Sequence, residues 1–399
     1  MSLLSGIFNT TQNPAELNAR SFSDTILRLF PNGSAPLYAL SAKAGKKKAK
    51  SSTHGYFSKT MVFVTTTSTA GDLIGATTLT LGSTVGMTAH MVLHNLRTRE
   101  NYRVVSITNA TQVVVTRAFG RVAAAALNAA DKIIQVGTAF MEGSSRPNAR
   151  QLATTYVANY TQIFRNAWGL TDTARASLSE IGYSNVAESR KDCSLFHSVD
   201  MESAIMFGQA KMDTAGAQPV HSTQGIIDSI YQYAAANVNP AAATTNYSEL
   251  VALVEEPFNF STDIGNNGER VGFVDRLAMK VLTDVGRKSG QIEIMQSETG
   301  FGMKFTSFKF YQGTINLIQH PLMNGLNPTG GNMLIVDLAA VKLAYMEGRD
   351  AVPEEYGSGM KQVELGTDGV GGSLTSEFAV ELINPFACGY VTGLTSGVA

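Results

Sequence analysis

The sequence predicts an α+β chain in which a β-rich segment, one long helix and a mixed helix–strand segment follow one another. Three observations carry this. Residues 61–140 hold short runs rich in Val, Ile and Thr, separated by glycines and turn residues. Residues 185–211 contain no proline and a single glycine, Gly208, which suits a helix of ~20–25 residues, roughly 30–38 Å long. Beyond residue 223, helical and strand patterns alternate to the end of the chain, with no internal repeat.

A chain of 399 residues is long for one core and predicts two or three lobes. Charged residues make up 16%, against about 25% for an ordinary soluble domain. Such a surface either aggregates or is largely covered by partners; composition equally admits a large enzyme with a polar, uncharged surface. The net charge of -1 leaves no overall basic field to attract nucleic acid. Cys193 and Cys388 form no CxxC pair, fit a reducing cytoplasm, and are expected as small buried hydrophobes. Met1 to Ala15 lacks a charged segment followed by an apolar run, and no stretch approaches ~20 apolar residues, so neither a signal nor a membrane-spanning helix is expected. The Asn-x-Ser/Thr triplets at Asn9, Asn109, Asn159, Asn246 and Asn259 are then chance matches.

Taken in order, residues 1–20 are polar and read as an extended arm. Phe22, Ile26 and Leu29 have helical spacing behind a Ser21 or Ser23 cap, and Pro31-Asn32-Gly33 ends that helix. Lys43, Lys46, Lys47, Lys48 and Lys50 then form the one strong charge run, without an aromatic or an acid beside them. They are candidate contacts to DNA phosphates on an inner surface, or to neighbouring subunits; the competing reading is a solvated, flexible linker. Strands are expected at 61–66, 77–81, 91–95, 102–108, 112–119 and 132–136, with a hairpin turn at Asn109-Ala110-Thr111 and a loop at Ala123 to Ala130 containing a short helical turn.

Leu152 to Arg165 reads as a strand and Thr171 to Ala174 as a helix start. On the long helix, Leu195, Phe196, Val199 and Met206 are expected on the buried face; Glu188, Arg190, Lys191, Asp192 and Asp200 form the polar one. Further helices are expected at Thr223–Tyr233, Glu249–Val254 and Glu269–Lys288, the last stopped by Gly290. Strands return at 291–296, 303–311, 314–317, 333–338 and 376–383. Glu347 to Leu374, rich in Gly and Pro, is expected as an exposed mobile loop, and a tail follows Asn384-Pro385.

Catalytic patterns are not found. Around Gly45-Lys46 a phosphate-binding loop would need glycine at Leu40 and Ser or Thr at Lys47. Gly82-Ser83-Thr84-Val85-Gly86 displaces the serine of a nucleophile elbow. His90 and His94 are four apart, but on a predicted strand and without a glutamate between them. His54, His197, His221 and His320 are scattered, and His197 is expected on the helix surface. Glu255 and Glu256 are adjacent and so point apart. Gly369-Val370-Gly371-Gly372 reads as a loop. No catalytic, cofactor or metal residue is assigned.

Several segments resemble the major capsid (major head) proteins of tailed bacteriophages. Asn95, Thr98, Glu100, Val104, Thr111, Val115, Thr116 and Arg117, followed by Glu142-Gly143-Ser144 and Pro147, match a β-lobe pattern of one subset of that family. Asn159 to Ala174 is similar to the next family segment, most specifically at Thr161-Gln162-Ile163-Phe164. Asp200-Met201-Glu202 and Gly208 match the end of its spine helix; Phe301-Gly302, Val336-Asp337 and Asn384-Pro385 match later landmarks. Tyr56-Phe57-Ser58-Lys59 departs from the aromatic–acid pair that often closes the first arm segment.

The resemblance implies the capsid-shell fold shared by tailed phages and herpesviruses. It would comprise an N-terminal arm at 1–60 and an E-loop with an inserted β lobe at 61–150. A peripheral domain at 151–222 would carry the spine helix at about 185–210 and be rejoined by strands near 301–322 and 376–395. An axial domain would use 223–300 and 323–375. The implied function is self-assembly into the hexamers and pentamers of an icosahedral head around double-stranded DNA. Portal, scaffolding and cement or decoration proteins are the implied partners; no cofactor and no membrane is involved. The chain would be made in the host cytoplasm and end in the virion. The competing classes are a hydrolytic enzyme with a β accessory lobe and a tail-associated binding protein.

Overall fold

The computed structural model describes residues 44–59, 64–147, 149, 151–177, 185–259, 268–289, 294–300, 303–324, 330–357 and 368–397. The expected arm and its short helix, Lys43, Gly290 and the Phe301-Gly302 landmark lie outside these residues. The chain divides into two compact units, one formed by Phe57–Tyr156 and the other by Met1–Tyr56 with Val157–Ala399.

The chain enters through β1 (Gly45–Ala49) and β2 (Thr53–Ser58). The 57–156 unit is then a single antiparallel sheet. Its strands are β3 (Thr65–Thr67), β4 (Thr78–Thr80), β5 (Met91–Asn95), β6 (Asn101–Ile107), β7 (Gln112–Thr116) and β8 (Lys132–Thr138), in the order β3-β8-β5-β6-β7-β4. One face buries Leu79, Leu93, Tyr102, Val104, Val113, Val115 and Ile133, which is the period-2 alternation that made the strands legible. The expected turn at 109–111 is present: Asn109 Oδ1 accepts from the Thr111 and Gln112 amides at 2.9 and 2.8 Å. The alanine stretch at 123–130 contains no helical turn; it is irregular and tied to Asp72 by a bridge at Leu127.

The other unit begins again at β9 (Thr155–Tyr160), which pairs with β2, and β10 (Gln162–Thr171). The strand expected over 152–165 is therefore two, divided at Thr161. Thr171 caps α1 (Asp172–Ala176), accepting from the Ala174 amide at 3.2 Å. The long helix is α2 (Asn185–Phe207). Its buried face differs from the expected stripe. Cys193, His197, Ser198, Glu202, Ala204, Ile205 and Met206 face inward, while Phe196 is 62% exposed. The inward face is part polar because it meets hydrogen-bonding partners on β10 and the sheet behind it, which the apolar pattern of the helix cannot reveal.

A hairpin of β11 (Lys211–Asp213) and β12 (Val220–Ser222) leads to α3 (Ile226–Tyr233), and β13 (Val238–Pro240) to α4 (Tyr247–Glu255). Asn246 closes a capping box on α4 with Glu249. The helix expected over 269–288 is instead β14 (Glu269–Val274) followed by α5 (Arg276–Ser289). The break is Asp275, whose Oδ1 accepts from the Ala278 amide at 2.6 Å and whose Oδ2 accepts from the Asn332 amide at 2.8 Å. Glu269–Val274 is a strand covered on both faces, so it has no polar alternation to distinguish it from helix.

The remaining strands are β15 (Ile294–Gly300), β16 (Met303–Lys309), β17 (Thr314–Gln319), β18 (Gly331–Val336), β19 (Val341–Met346), β20 (Val352–Gly357), β21 (Gly369–Leu382) and β22 (Gly389–Leu394). A mixed sheet of seven runs β13-β22-β18-β14-β17-β16-β15. Its third strand in that order, β18, is buried along its whole length. Met333 and Ile335 enter the core with α4 and α5, and Leu334 and Val336 enter the core with α2 and α3. A second sheet runs β1-β19-β21-β10, with β20 also on β21.

The strands at 303–319 join β14 and β18 in the seven-stranded sheet, whereas β19, β20 and β21 join β10 and α2. Two further expectations are corrected. The supposed tail contains β22, paired with β13 and β18. The supposed loop at 347–374 contributes β20 and the start of β21; its residues 358–367 lie outside those described. Gly369-Val370-Gly371-Gly372 is strand because glycine is needed there for close approach. A Cβ on Gly372 would lie 2.6 Å from the Glu354 carbonyl oxygen and 2.7 Å from Trp168 Nε1.

Candidate functional site

The lysine run is an edge strand and not a flexible linker. β1 pairs in parallel with β19, from Gly45 opposite Lys342 to Ala49 opposite Met346. Its alternation sends neighbouring lysines to different acids. Lys46 Nζ donates to Asp350 at 2.7 Å and Lys48 Nζ to Glu347 at 2.9 Å, both exposed. Lys47 Nζ lies 3.1 Å from Glu381, whose side chain is 2% exposed and also accepts from His54. Lys46 also sits 5.0 Å from the centre of the Tyr345 ring. An open groove of about 400 Å³ runs along these lysines, Tyr345, Met346, Glu347, Gly348 and Asp350. Lys50 is exposed, with no carboxylate partner among the described residues.

Electrostatically the run is therefore balanced. Lys46, Lys47 and Lys48 face Asp350, Glu381 and Glu347 one for one. These acids are about 300 or more residues away in sequence, so the run looked acid-free on paper. The Lys48–Glu347 pair raises the lysine pKa and lowers the carboxyl, through its hydrogen bond first and its charge second. Exposed pairs of this kind add little to stability.

Around this sheet lie polar connectors, most of them buried, and several residues that carried the family resemblance occupy them. Asn159 Oδ1 accepts from the Gln224 amide at 2.7 Å, and its Nδ2 donates to the Val380 carbonyl at 2.7 Å. Thr161 donates to Glu377 at 2.8 Å, and Glu377 also meets Arg349 at 3.0 Å. Gln162 Oε1 accepts from the Thr223 amide at 3.0 Å. Asp200 accepts from Asn166 at 2.8 Å. Glu202 and His320 are both fully buried, 3.2 Å apart; His320 Nδ1 accepts from the Leu322 amide, which leaves Nε2 to donate to Glu202. Asp337 lies 4.0 Å from Arg270, a buried guanidinium that also donates to the Pro257 and Ala387 carbonyls.

In the 57–156 unit the same holds. Glu100 is fully buried and grips Arg117 with both carboxylate oxygens at 2.8 Å. It also accepts from the Ala118 and Ala125 amides. Asn95 Oδ1 accepts from the Arg97 and Thr98 amides, and its Nδ2 donates to Asp131 at 3.1 Å. The Arg97 guanidinium beside Asp131 holds that carboxyl well below the usual range.

His197 corrects another expectation. It is 2% exposed, with Nδ1 2.8 Å from Asn166 Oδ1 and Nε2 2.8 Å from Ser376 Oγ. Burial pushes its pKa down. A depressed histidine contributes stability above its unfolded value of about 6.5, lost as pH falls below it. His197→Gln is expected to flatten the decline in melting temperature between about pH 6.5 and 5; an unchanged slope would refute this.

The remaining candidates stay apart. His90 Nδ1 accepts from Arg103 and His94 Nδ1 meets Asn101, each at 2.7 Å. Glu255 ends α4 and Glu256 starts the 3-10 turn after it. Cys193 and Cys388 are free and buried, and burial pushes the Cys388 thiol up to about 12. Among the described residues no group of His, Cys, Asp and Glu has the arrangement of a metal site, and no helix is long and apolar enough to cross a membrane.

A model of the SU10 major capsid protein family matches residues 7–395. The major capsid protein of Pseudomonas phage PaMx41 is 48% identical over 405 residues, spanning 99% of this chain and 97% of that protein. Two solved structures give a TM-score of 0.48. The capsid of Myoviridae phage XM1 is 9% identical and aligned over 98% of this chain and 99% of its own; a chain of Microbacterium phage Oxtober96 is 11% identical, over 96% and 97%. With a family model matching residues 7–395 and a phage capsid protein matched along 97% of its own length, the chain belongs to the SU10 major capsid protein family and is a structural subunit of a phage shell.

Proposed function

We propose that this chain acts without catalysis, closing an icosahedral head around double-stranded DNA by assembling into hexamers and pentamers. The observation that carries this is the 48% identity to a phage major capsid protein along 99% of the chain. Heterologous contacts that close into rings are the economical way for one chain to build such a shell. In this reading residues 57–156 form the E-loop with its β lobe, and α2 is the spine helix. The β1-β19-β21-β10 sheet with α2 is the peripheral domain, and the seven-stranded sheet with α4 and α5 the axial one. Residues 1–43 would act as an arm. Portal, scaffolding and cement proteins are the partners such a shell would take, and the chain would be made in the host cytoplasm. Neither the hydrolase nor the tail-protein reading has an observation in its favour.

Negative-stain microscopy of the purified chain tests this: megadalton particles or capsomers are expected, and a small oligomer alone would refute it.

For the lysine strand, the DNA reading is weakened, because Lys46, Lys47 and Lys48 already face three carboxylates of the same chain. Lys46→Gln/Lys47→Gln/Lys48→Gln is expected to leave the salt dependence of DNA retention unchanged. Three lost phosphate contacts would instead reduce the slope of log K against log salt by about 2.7, at ~0.9 per contact, and that result would restore the DNA reading.

A further inference from the structure

We propose that Asn166, His197 and Ser376 form a proton-sensitive latch: a proton taken up by His197 releases the turn between β19 and β20, and with it the acids that face the lysine strand.

Four hydrogen bonds run in a line from that turn to α2. The Ala351 amide donates to Ser376 Oγ at 3.0 Å. Ser376 Oγ lies 2.8 Å from His197 Nε2, and His197 Nδ1 lies 2.8 Å from Asn166 Oδ1. Asn166 Nδ2 donates to Asp200 at 2.8 Å. The two ends fix the direction of every bond between them, because a backbone N–H only donates and a carboxylate only accepts. Asn166 therefore turns its amide nitrogen to Asp200 and its oxygen to the ring, so Nδ1 carries the ring proton. Nε2 is then an acceptor, and the Ser376 hydroxyl donates to it. The line is complete only with a neutral ring.

A second proton on the ring sets an N–H against the Ser376 O–H. Ser376 and His197 are 0% and 2% exposed, so the displaced hydroxyl proton finds no water, and a buried donor without a partner is costly. Rotation of Ser376 takes Oγ away from the Ala351 amide. Ala351 is exposed and has a φ of 50°, a left-handed conformation that strains a residue with a Cβ. The bond to Ser376 helps to hold it there. The same turn carries Glu347 and Asp350, the partners of Lys48 and Lys46. Those exposed pairs add little to keep the turn in place, so its opening unmasks the lysines.

The surroundings set the direction of the switch. Burial disfavours the charged ring and outweighs Asp200, which favours it. Arg190, two turns earlier on α2, pairs with Glu355 on β20 at 2.8 Å. Arg165 and Glu377, next to Asn166 and Ser376 along their strands, meet Glu354 and Arg349. Cys193, one turn earlier on α2, has its thiol pKa pushed up by burial. A histidine depressed by folding takes its proton below about pH 6.5, so the latch is closed at neutral pH and opens on acidification.

Hydrogen exchange of the full chain, corrected for the pH dependence of the intrinsic rate, tests this. Between about pH 7.5 and about pH 5, above the ordinary carboxylate range, protection at Ala351 is expected to fall roughly tenfold or more while β18 is unchanged. His197→Gln stays neutral, still accepts from Ser376 and donates to Asn166, and should abolish the fall. Ser376→Ala should show low protection of Ala351 at both pH values. No fall in the parent chain would overturn the proposal, as would an equal fall in His197→Gln. The latter result would place the proton elsewhere, as at His54, which meets Glu381 beside the same strand and is intact in that variant. Should His197→Gln not fold, Ser376→Ala decides: a fall of protection with pH that persists without the hydroxyl is incompatible with the latch.

Discussion

Arg117→Met is expected to destabilise the 57–156 unit by about 3–5 kcal/mol, the usual cost of removing one partner from a buried ion pair. Glu100 is fully buried, so without the guanidinium its charge keeps only the Ala118 and Ala125 amides. The methionine fills much of the volume but restores none of the five hydrogen bonds that Arg117 makes. Glu100→Gln/Arg117→Met should recover part of the loss, because a neutral amide oxygen still accepts a backbone N–H and no charge is left buried. The loss should be read by hydrogen exchange at the amides of β5 to β7, which localises it to this unit. Protection unchanged in the single variant would contradict the prediction.

The same pair gives the unit a signed pH dependence. Burial pushes the Glu100 carboxyl up, but the hydrogen bonds from Arg117, Ala118 and Ala125 outweigh it, and the net shift is downward. A depressed carboxyl contributes stability above its unfolded value, about 4.3, that is lost as pH falls through the lower folded value. In Arg117→Met the burial effect is expected to prevail and the sign to reverse, so acidification from above the raised folded value down to about pH 4.3 should then stabilise the unit. Parallel slopes in the two proteins would exclude this account.

Gly225→Ala is expected to cost the other unit about 3 kcal/mol, the upper end of ordinary overpacking. A Cβ there would lie 2.7 Å from the Gly208 nitrogen and 2.8 and 2.9 Å from the Ala204 and Ile205 carbonyl oxygens. All three are backbone atoms of the last turn of α2 and the residue after it, so no side chain can swing aside. The reciprocal contact is tighter still, with a Cβ on Gly208 only 2.4 Å from the Thr223 oxygen. Parting the two segments would stretch the Gly225-to-Gly208 hydrogen bond, now 2.8 Å, and the Asn159–Gln224 bonds beside it. Thermal unfolding of the full chain is the measurement; a variant within about 1 kcal/mol of the parent would show that the helix ends can separate freely.

These residues also mark how far the sequence could be read. Glu100, Arg117, Asn159, Thr161, Glu202 and Gly208 were visible as a pattern and turned out to occupy buried hydrogen bonds or close backbone approaches. Such positions accept few residue types, so a motif survives there even where its purpose is not evident. The six strands of the 57–156 unit were legible because one face is buried and one wet, which imposes alternation. Strands covered on both faces, β14 and β18, lack that signal; β14 was read as helix because its apolar run continues into α5. His197 looked like a surface residue because its partners, Asn166 and Ser376, are 31 and 179 positions away.

Local chemistry thus settled the α+β class, the long proline-free helix, the helix start at Thr171, and the shell family. Each depends on neighbours within a turn or two, or on residue types that few environments tolerate. Tertiary structure alone decided that five lysines within eight residues include three with acidic partners, and that a glycine-rich segment is a strand. It also decided which strands share a sheet. The reason is physical: charge balance and strand pairing are set by groups that meet only after the chain closes over hundreds of residues. A lysine's sequence neighbours therefore say little about which carboxylate it will face.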